Sequence, residues 1–435
     1  MKVNKYKALQ IILFVIYIIV YCSTFNNKEN WIWTIILLIN GLALVYFEYK
    51  RTMNYISPIM FWYVFWLLVI IIARLDLGVY LFNSVWQKEL LILVIIATST
   101  FFCFYWIGET LSSFKTYIKN NYEYDYEVIA NITILFLLLA CVAYVFNVLY
   151  TGVIPQISGN VDYYRRSFVI TPFYSIVNCC RFVFCLIPIV IAKCKNEQKK
   201  THIKILGVIL CLFEFMTGWR TYVFQEMILF ITSQLLFVKV SDKKERKKNN
   251  NRIKKYILIA MLFIGVVAVT RTGKKFTLSQ AIEYIIQIVY LYIAPNFLNI
   301  QSAIQTITPK GYFLYSIEGI WGIFISSTSI EGYENIDQNI GGFNVSTYML
   351  QPFADLGIAG VIIWTALISM FSGYVFYQAK QKVTVTNVFL LGMLNLTIFN
   401  MHNGFFLRSS SIIIWITIVV FIEYFTKRSK NCSEC

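Results

Sequence analysis

Arg165, Arg166, Arg220, Arg271 and Arg408 are the residues of this chain best suited to chemistry on an anion. A guanidinium offers a planar fork of donors that meets phosphate or carboxylate two bonds at a time, which the point charge of lysine cannot do. His402 is one of two histidines and lies in Met401-His402-Asn403-Gly404-Phe405-Phe406-Leu407-Arg408, close in sequence to one of those arginines. Its imidazole can donate to a phosphate or move a proton near neutral pH. Asp162 and Asp355 are the carboxylates that can pair with these cations or serve as a weak base toward a hydroxyl. The plainer alternative for each arginine is an ion pair with an acid such as Asp162, Glu331 or Asp355, and for His402 an interfacial loop position with no role.

Other chemistries lack their residues. With one histidine and no cysteine among these candidates, a zinc site has too few ligands, and no Walker or dinucleotide glycine pattern occurs. Glu331, Glu334 and Asp337 fit no standard cation loop and read as a solvated turn. Neither a metal nor a cofactor is therefore expected. Aromatics near the same segments (Tyr150, Tyr163, Tyr164, Trp321, Tyr333, Phe343, Tyr348) suit sugar stacking, and equally suit anchoring at a membrane interface.

The elements that must position these residues are membrane helices. Of 435 residues, 58% are hydrophobic and 14% charged, which excludes an ordinary soluble domain and a disordered one. The apolar residues fall into stretches near the ~20 residues a helix needs to cross the hydrocarbon core. They lie at 8–25, 31–47, 55–73, 90–108, 128–149, 172–192, 203–217, 221–238, 256–270, 354–377, 383–400 and 410–425. The expectation is an all-α polytopic membrane protein with about twelve transmembrane helices. Its organisation is helices one to nine with short loops over 1–270, a large structured extracytoplasmic loop over 271–353, and three helices with a tail over 354–435.

Charge orients the chain. The net +16 does not call for nucleic acid, because the lysines and arginines gather in alternate loops, heaviest at 193–204 and 239–255. Placing those loops inside puts both termini in the cytoplasm. Lysine dominates that side, whereas the opposite side holds Arg74, Arg165, Arg166, Arg181, Arg220, Arg271 and Arg408 beside Lys28, Lys88, Lys274, Lys275 and Lys310. An arginine-rich outer face in a lysine-rich chain points to an outer anion site. Only Cys22 lies near an outward end, so no disulfide framework is expected, and the first apolar stretch reads as a retained helix rather than a cleaved signal.

Two segments interrupt simple hairpins. Residues 203–238 must cross, turn at Thr217-Gly218-Trp219-Arg220-Thr221 and return. A helix over 203–217 reaches only roughly 22 Å, which would sink the turn and Arg220 below the outer interface. Within 271–353, residues 281–300 suit an interfacial or re-entrant amphipathic helix, and a pair of further spans at 282–300 and 312–327 would preserve the topology.

Together these features resemble the Wzy-type repeat-unit polymerases of O-antigen and capsule assembly, relatives of the O-antigen ligases. The resemblance rests on the many helices, the large outer loop, the Gly-x-Arg turn at Arg220, Asn344 to Tyr348 ahead of Asp355-Leu-Gly357, and the late outer His402-Asn403. It departs at Trp219, where serine is common, and in the absence of an R-x10-G spacing after the outer arginines. The resemblance implies a GT-C-like, metal-independent membrane glycosyltransferase of the bacterial cytoplasmic membrane, using undecaprenyl-diphosphate-linked oligosaccharides at the outer face. It implies catalytic roles for Arg220, Arg271 and His402, with Arg165, Arg166, Arg408, Asp355 and Asp162 binding substrate. Its implied partners are the lipid bilayer, a chain-length regulator and a flippase, and no nucleic acid. A ligase-like glycosyltransferase and a lipid-linked oligosaccharide flippase are the alternatives.

The charge pattern yields a direct test. In a background without native cysteines, Asn335→Cys should react with a membrane-impermeant maleimide in intact cells and Asn250→Cys should not. Outside labelling of Asn250→Cys would reverse the topology.

Overall fold

The computed structural model describes residues 5–23, 31–74, 86–114, 122–158, 160–237, 251, 255, 277–322, 325, 334, 336, 345–404 and 411–429. The described chain is nearly all helical. In order it runs α1 (Lys5–Ser23), α2 (Trp31–Thr52), α3 (Pro58–Trp62), a π-helical turn (Tyr63–Leu67), α4 (Leu68–Arg74), α5 (Lys88–Ser113), β1 (Tyr122–Tyr124), α6 (Tyr126–Thr151), α7 (Val161–Val169), α8 (Pro172–Cys180), α9 (Val183–Lys193), α10 (Glu197–Met216) and α11 (Arg220–Phe237). There follow α12 (Leu278–Leu291), α13 (Ala294–Thr306), α14 (Glu318–Trp321), α15 (Leu350–Leu356), α16 (Ile358–Gln381), α17 (Val385–Asn400), α18 (Ser411–Thr426) and β2 (Lys427–Ser429).

Among the described residues seven helices are long and apolar enough to cross a membrane: Lys5–Ser23, Ile32–Thr52, Lys88–Ser113, Tyr126–Thr151, Pro172–Lys193, Ile358–Gln381 and Val385–Asn403. Pro58–Ala73 and Ser411–Thr426 are apolar but shorter. The chain is thus a polytopic membrane protein. The expected span at 256–270 lies outside the described residues. In the large-loop region α12 and α13 break at Tyr292 and Ile293, and no described helix at 312–327 is longer than α14, so neither forms a continuous span among the described residues.

The ends of the helices are written locally. Asp125 caps α6 by accepting the backbone N–H groups of Glu127 and Val128 at 3.1 and 3.2 Å. Thr171 caps α8 through the Tyr174 N–H at 3.1 Å, with Pro172 in the first turn, where its missing N–H costs nothing. Asn196 caps α10 through the Lys199 N–H at 3.1 Å. That cap starts α10 at Glu197 rather than near 203, so the helix has 20 residues and a length of about 30 Å. Polar Glu197 to Lys200 are helical because the cap initiates the helix ahead of its apolar part, which itself begins near Ile203.

The chain forms two compact units, each assembled from separate stretches rather than from the consecutive segments 1–270, 271–353 and 354–435. The first takes the described residues of Met1–Lys115, Phe276–Tyr377 and Leu394–Ser410; the second takes those of Thr116–Lys275, Gln378–Met393 and Ser411–Cys435.

In the first unit, Arg51 at the end of α2 binds Glu48 through Nε and Nη2 at 2.7 and 2.9 Å and Glu109 of α5 at 2.7 Å. Lys7 and Arg51 both lie over the Trp106 ring, at 4.4 and 4.6 Å. The start of α1 and the ends of α2 and α5 therefore meet at one end of the unit. Elsewhere in this unit α5 and α16 approach closely: a Cβ on Gly108 would lie 1.9 Å from the Met370 carbonyl oxygen, and one on Gly373 2.1 Å from that of Tyr105. Small residues permit this backbone contact, which replaces hydrophobic driving force in lipid.

In the second unit β1 pairs antiparallel with β2, Tyr122 opposite Ser429 and Tyr124 opposite Lys427. This ribbon, absent from the all-helical expectation, joins the segment before α6 to the C-terminal segment. Glu127 also accepts from Lys199 Nζ at 3.0 Å, and Glu423 from the Thr386 N–H at 2.7 Å. These contacts bring the segment before α6, the start of α10, the start of α17 and the C-terminal segment together at one end of the unit.

Gly108→Ala and Gly373→Ala should each destabilise the purified protein by about 1–3 kcal/mol, because backbone must separate. Gly207→Ala, whose Cβ meets only the flexible Ile187 tip at 3.0 Å, should be near neutral. Thermal unfolding in detergent reads the difference.

Candidate functional site

The second unit brings two arginine-bearing segments together. Asn160 caps α7 through the Tyr163 N–H at 3.3 Å, and Arg165 and Arg166 follow on that helix. The facing turn forms because Thr217 closes α10, its hydroxyl donating to the Glu214 carbonyl at 2.7 Å and accepting the Trp219 N–H at 3.2 Å. Gly218 adopts φ +75°, and a Cβ there would lie 2.5 Å from Val161 of α7. Only glycine meets both demands. Arg220 is then the first residue of α11, at a helix N-terminus, whose dipole favours negative charge.

Arg165 joins the turn through an aromatic: its guanidinium carbon lies 5.0 Å from the Trp219 ring centroid. Arg166 is exposed on the same helix. The side chains of Asp162 and Arg220, and the whole of Arg271 and Arg408, lie outside the described residues.

Beneath this turn lies a buried polar network that the sequence reading did not single out. Arg181, 1% exposed, binds Glu214 through Nε at 2.9 Å and Nη2 at 3.0 Å. It also donates to the Asn178 side chain at 2.7 Å and the Tyr174 hydroxyl at 2.6 Å, while Tyr174 donates to Glu214 at 2.7 Å. Its guanidinium carbon sits 3.6 Å from the Tyr222 ring centroid. Arg181 was grouped with the outer arginines, and the structure gives it the plain role of an ion-pair partner. One turn below Tyr222, Glu226 is 1% exposed and neither of its oxygens has a hydrogen-bond partner. The signal for Glu214 was available, since a glutamate inside an apolar run requires a partner, but sequence does not say which cation supplies it.

In the first unit His402 lies in a short 3-10 turn after α17. Its carbonyl accepts from the Asn296 side chain of α13 at 2.8 Å, its ring meets Phe399 edge-on at 6.0 Å, and its Nδ1 is buried without a partner. The Tyr348 N–H donates to the Met401 carbonyl at 2.8 Å, tying the segment ahead of α15 to the histidine turn. Asp355 is fully buried, and its carboxylate accepts the backbone N–H groups of Leu314, Tyr315 and Ser316, each at 2.8 Å. These three bonds tie the 314–316 segment to the end of α15, and full burial among them sets Asp355 in a structural role. Lys310 pairs with Glu334 at 3.0 Å, and that bond raises the ammonium above its ordinary value. Among the described residues no group of three potential metal ligands occurs.

Arg181→Met alone strands Glu214, and Glu214→Leu alone strands the guanidinium; each should cost on the order of 3–5 kcal/mol. The double variant should recover most of the folded yield in size-exclusion profiles. Losses that simply add would contradict the pairing.

A family model described as O-antigen polysaccharide polymerase Wzy matches residues 6–429. No curated protein and no solved structure gives a match.

Proposed function

This chain belongs to the O-antigen polysaccharide polymerase Wzy family, and from that membership we infer that its outer arginines hold the diphosphate of a lipid-linked glycan during transfer. The role is that of a repeat-unit polymerase in a multi-pass membrane protein acting on lipid-linked oligosaccharides. The observation that carries the finer reading is the convergence of α7, with Arg165 and Arg166, on the turn that begins α11 at Arg220.

We propose that the substrate is an undecaprenyl-diphosphate-linked repeat and that the reaction runs at the outer face of the cytoplasmic membrane. In this arrangement about twelve helices span the bilayer, both termini are cytoplasmic, and 271–353 forms an extracytoplasmic loop. An acceptor hydroxyl oxygen attacks the anomeric carbon of the growing chain. The bond from that carbon to the diphosphate oxygen breaks, its electron pair leaves with the diphosphate, and the hydroxyl proton passes to a weak base. Charge grows on the departing oxygens, where fixed guanidinium groups away from bulk water stabilise it most. In the proposal Arg220, Arg271 and His402 have catalytic roles, Arg165, Arg166 and Arg408 are substrate-binding, and His402 or Asp162 receives the proton. Asp355 supports the loop instead, given its three backbone bonds. Because arginines supply the positive charge, no metal is required. A chain-length regulator and a flippase are the expected protein partners.

Purified protein given lipid-linked repeats and a chelator should build a ladder of increasing chain length without nucleotide sugar. Arg220→Lys should lower the rate at unchanged protein level, since charge is kept and bidentate bonding lost. In cells lacking the protein, single repeats should accumulate outside; long carrier-bound chains would indicate a ligase, and repeats held on the inner leaflet a flippase.

A further inference from the structure

Trp219 lies between two arginines of the second unit. Arg181 is locked by the two-bond pair with Glu214 and by Asn178 and Tyr174. The Tyr222 ring lies 3.6 Å from that guanidinium carbon, and Trp219 stacks on Tyr222 with centroids 5.6 Å apart and planes 22° apart. At the far end Arg165 lies over Trp219 at 5.0 Å. The series thus runs from a buried, immobile ion pair, through two stacked rings that flank Arg220 in sequence, to an arginine on another helix. The indole Nε1–H is buried and makes no hydrogen bond to protein, so Trp219 serves the protein through its ring face.

We infer that Trp219 is a positioning residue of the anion site, its ring fixing the plane of the Arg165 guanidinium against the Arg220 turn, with Tyr222 and Arg181 bracing it from below. The inference rests on the polymerase reading, in which Arg165 binds the diphosphate. An arginine on a flexible stem loses rotamer freedom when it binds a phosphate in fork geometry; a ring that already holds its plane removes part of that cost. The chemistry recognised is a diphosphate ester, and the effect belongs in binding rather than in the chemical step.

The test uses the full chain in detergent with lipid-linked repeats, measuring KM and kcat for ladder formation. Trp219→Leu should raise KM about tenfold with kcat within about threefold of the parent. Trp219→Phe, which restores a ring and removes only the unpartnered N–H, should recover most of that loss. Arg165→Ala should weaken binding similarly, and the double variant should be no worse than Arg165→Ala alone, since both changes remove one unit. Should Trp219→Leu fail to fold, Tyr222→Leu against Tyr222→Phe makes the same comparison. An unchanged KM in Trp219→Leu, or effects that add in the double variant, would overturn the inference while leaving the polymerase reading intact. No ladder from the parent protein would remove the reading itself.

Discussion

Arg181 and Glu214 are buried together between helices, and the arrangement of the second unit depends on their staying paired. Either charge alone would be very costly there, because hydrocarbon and packed protein supply no water to solvate it. The pair is therefore built with every available partner: two bonds between guanidinium and carboxylate, a tyrosine hydroxyl that touches both, an asparagine, and a ring against the guanidinium. These groups come from α8, α10 and α11 and from the Arg181 junction between α8 and α9. Satisfying one ion pair thereby sets the register of the helices around it. It also fixes the depth at which α10 ends and α11 begins, and so the position of the Gly218-Trp219-Arg220 turn.

The same rule shapes the first unit with different residues. Arg51 bridges Glu48 and Glu109 where α1 starts and α2 and α5 end, and Gln10 and Ser57 donate further bonds to Glu48 at 3.1 and 2.6 Å. At the other end the irregular chain around 314–316 has backbone donors that no helix or sheet satisfies, and Asp355 meets three of them. Asn296 does the converse for carbonyl oxygens, donating to those of Tyr292 and His402. Irregular backbone inside a membrane protein needs its polar groups satisfied, and here side chains do part of that. The buried polar residues near His402 are thus largely accounted for by backbone.

That accounting separates the arginines by task. Arg51 and Arg181 are held by buried carboxylates and serve the fold. Arg165 meets the face of Trp219 beside a helix start, and Arg166 is exposed on the same short helix. In the proposed reading the anion at this place is the diphosphate of the lipid-linked substrate, and the positive end of α11 adds to the field there.

Much of this was legible in the sequence because the bilayer imposes a one-dimensional code. Run length and hydropathy located the seven helices that are long and apolar enough to span among the described residues, and Gly218 marked the turn. Helix starts were less legible: the Asn196 cap extended α10 into a charged stretch that hydropathy reads as loop. What tertiary structure alone decided was partnership. Nothing in the spacing says that Arg181 takes Glu214, that Asp355 turns to backbone amides instead of a cation, or that Arg165 lies over Trp219. Hydropathy reports how each segment divides between water and lipid, one residue at a time. Ion pairs and stacks form between segments far apart in the chain, so their geometry exists only after the helices have packed.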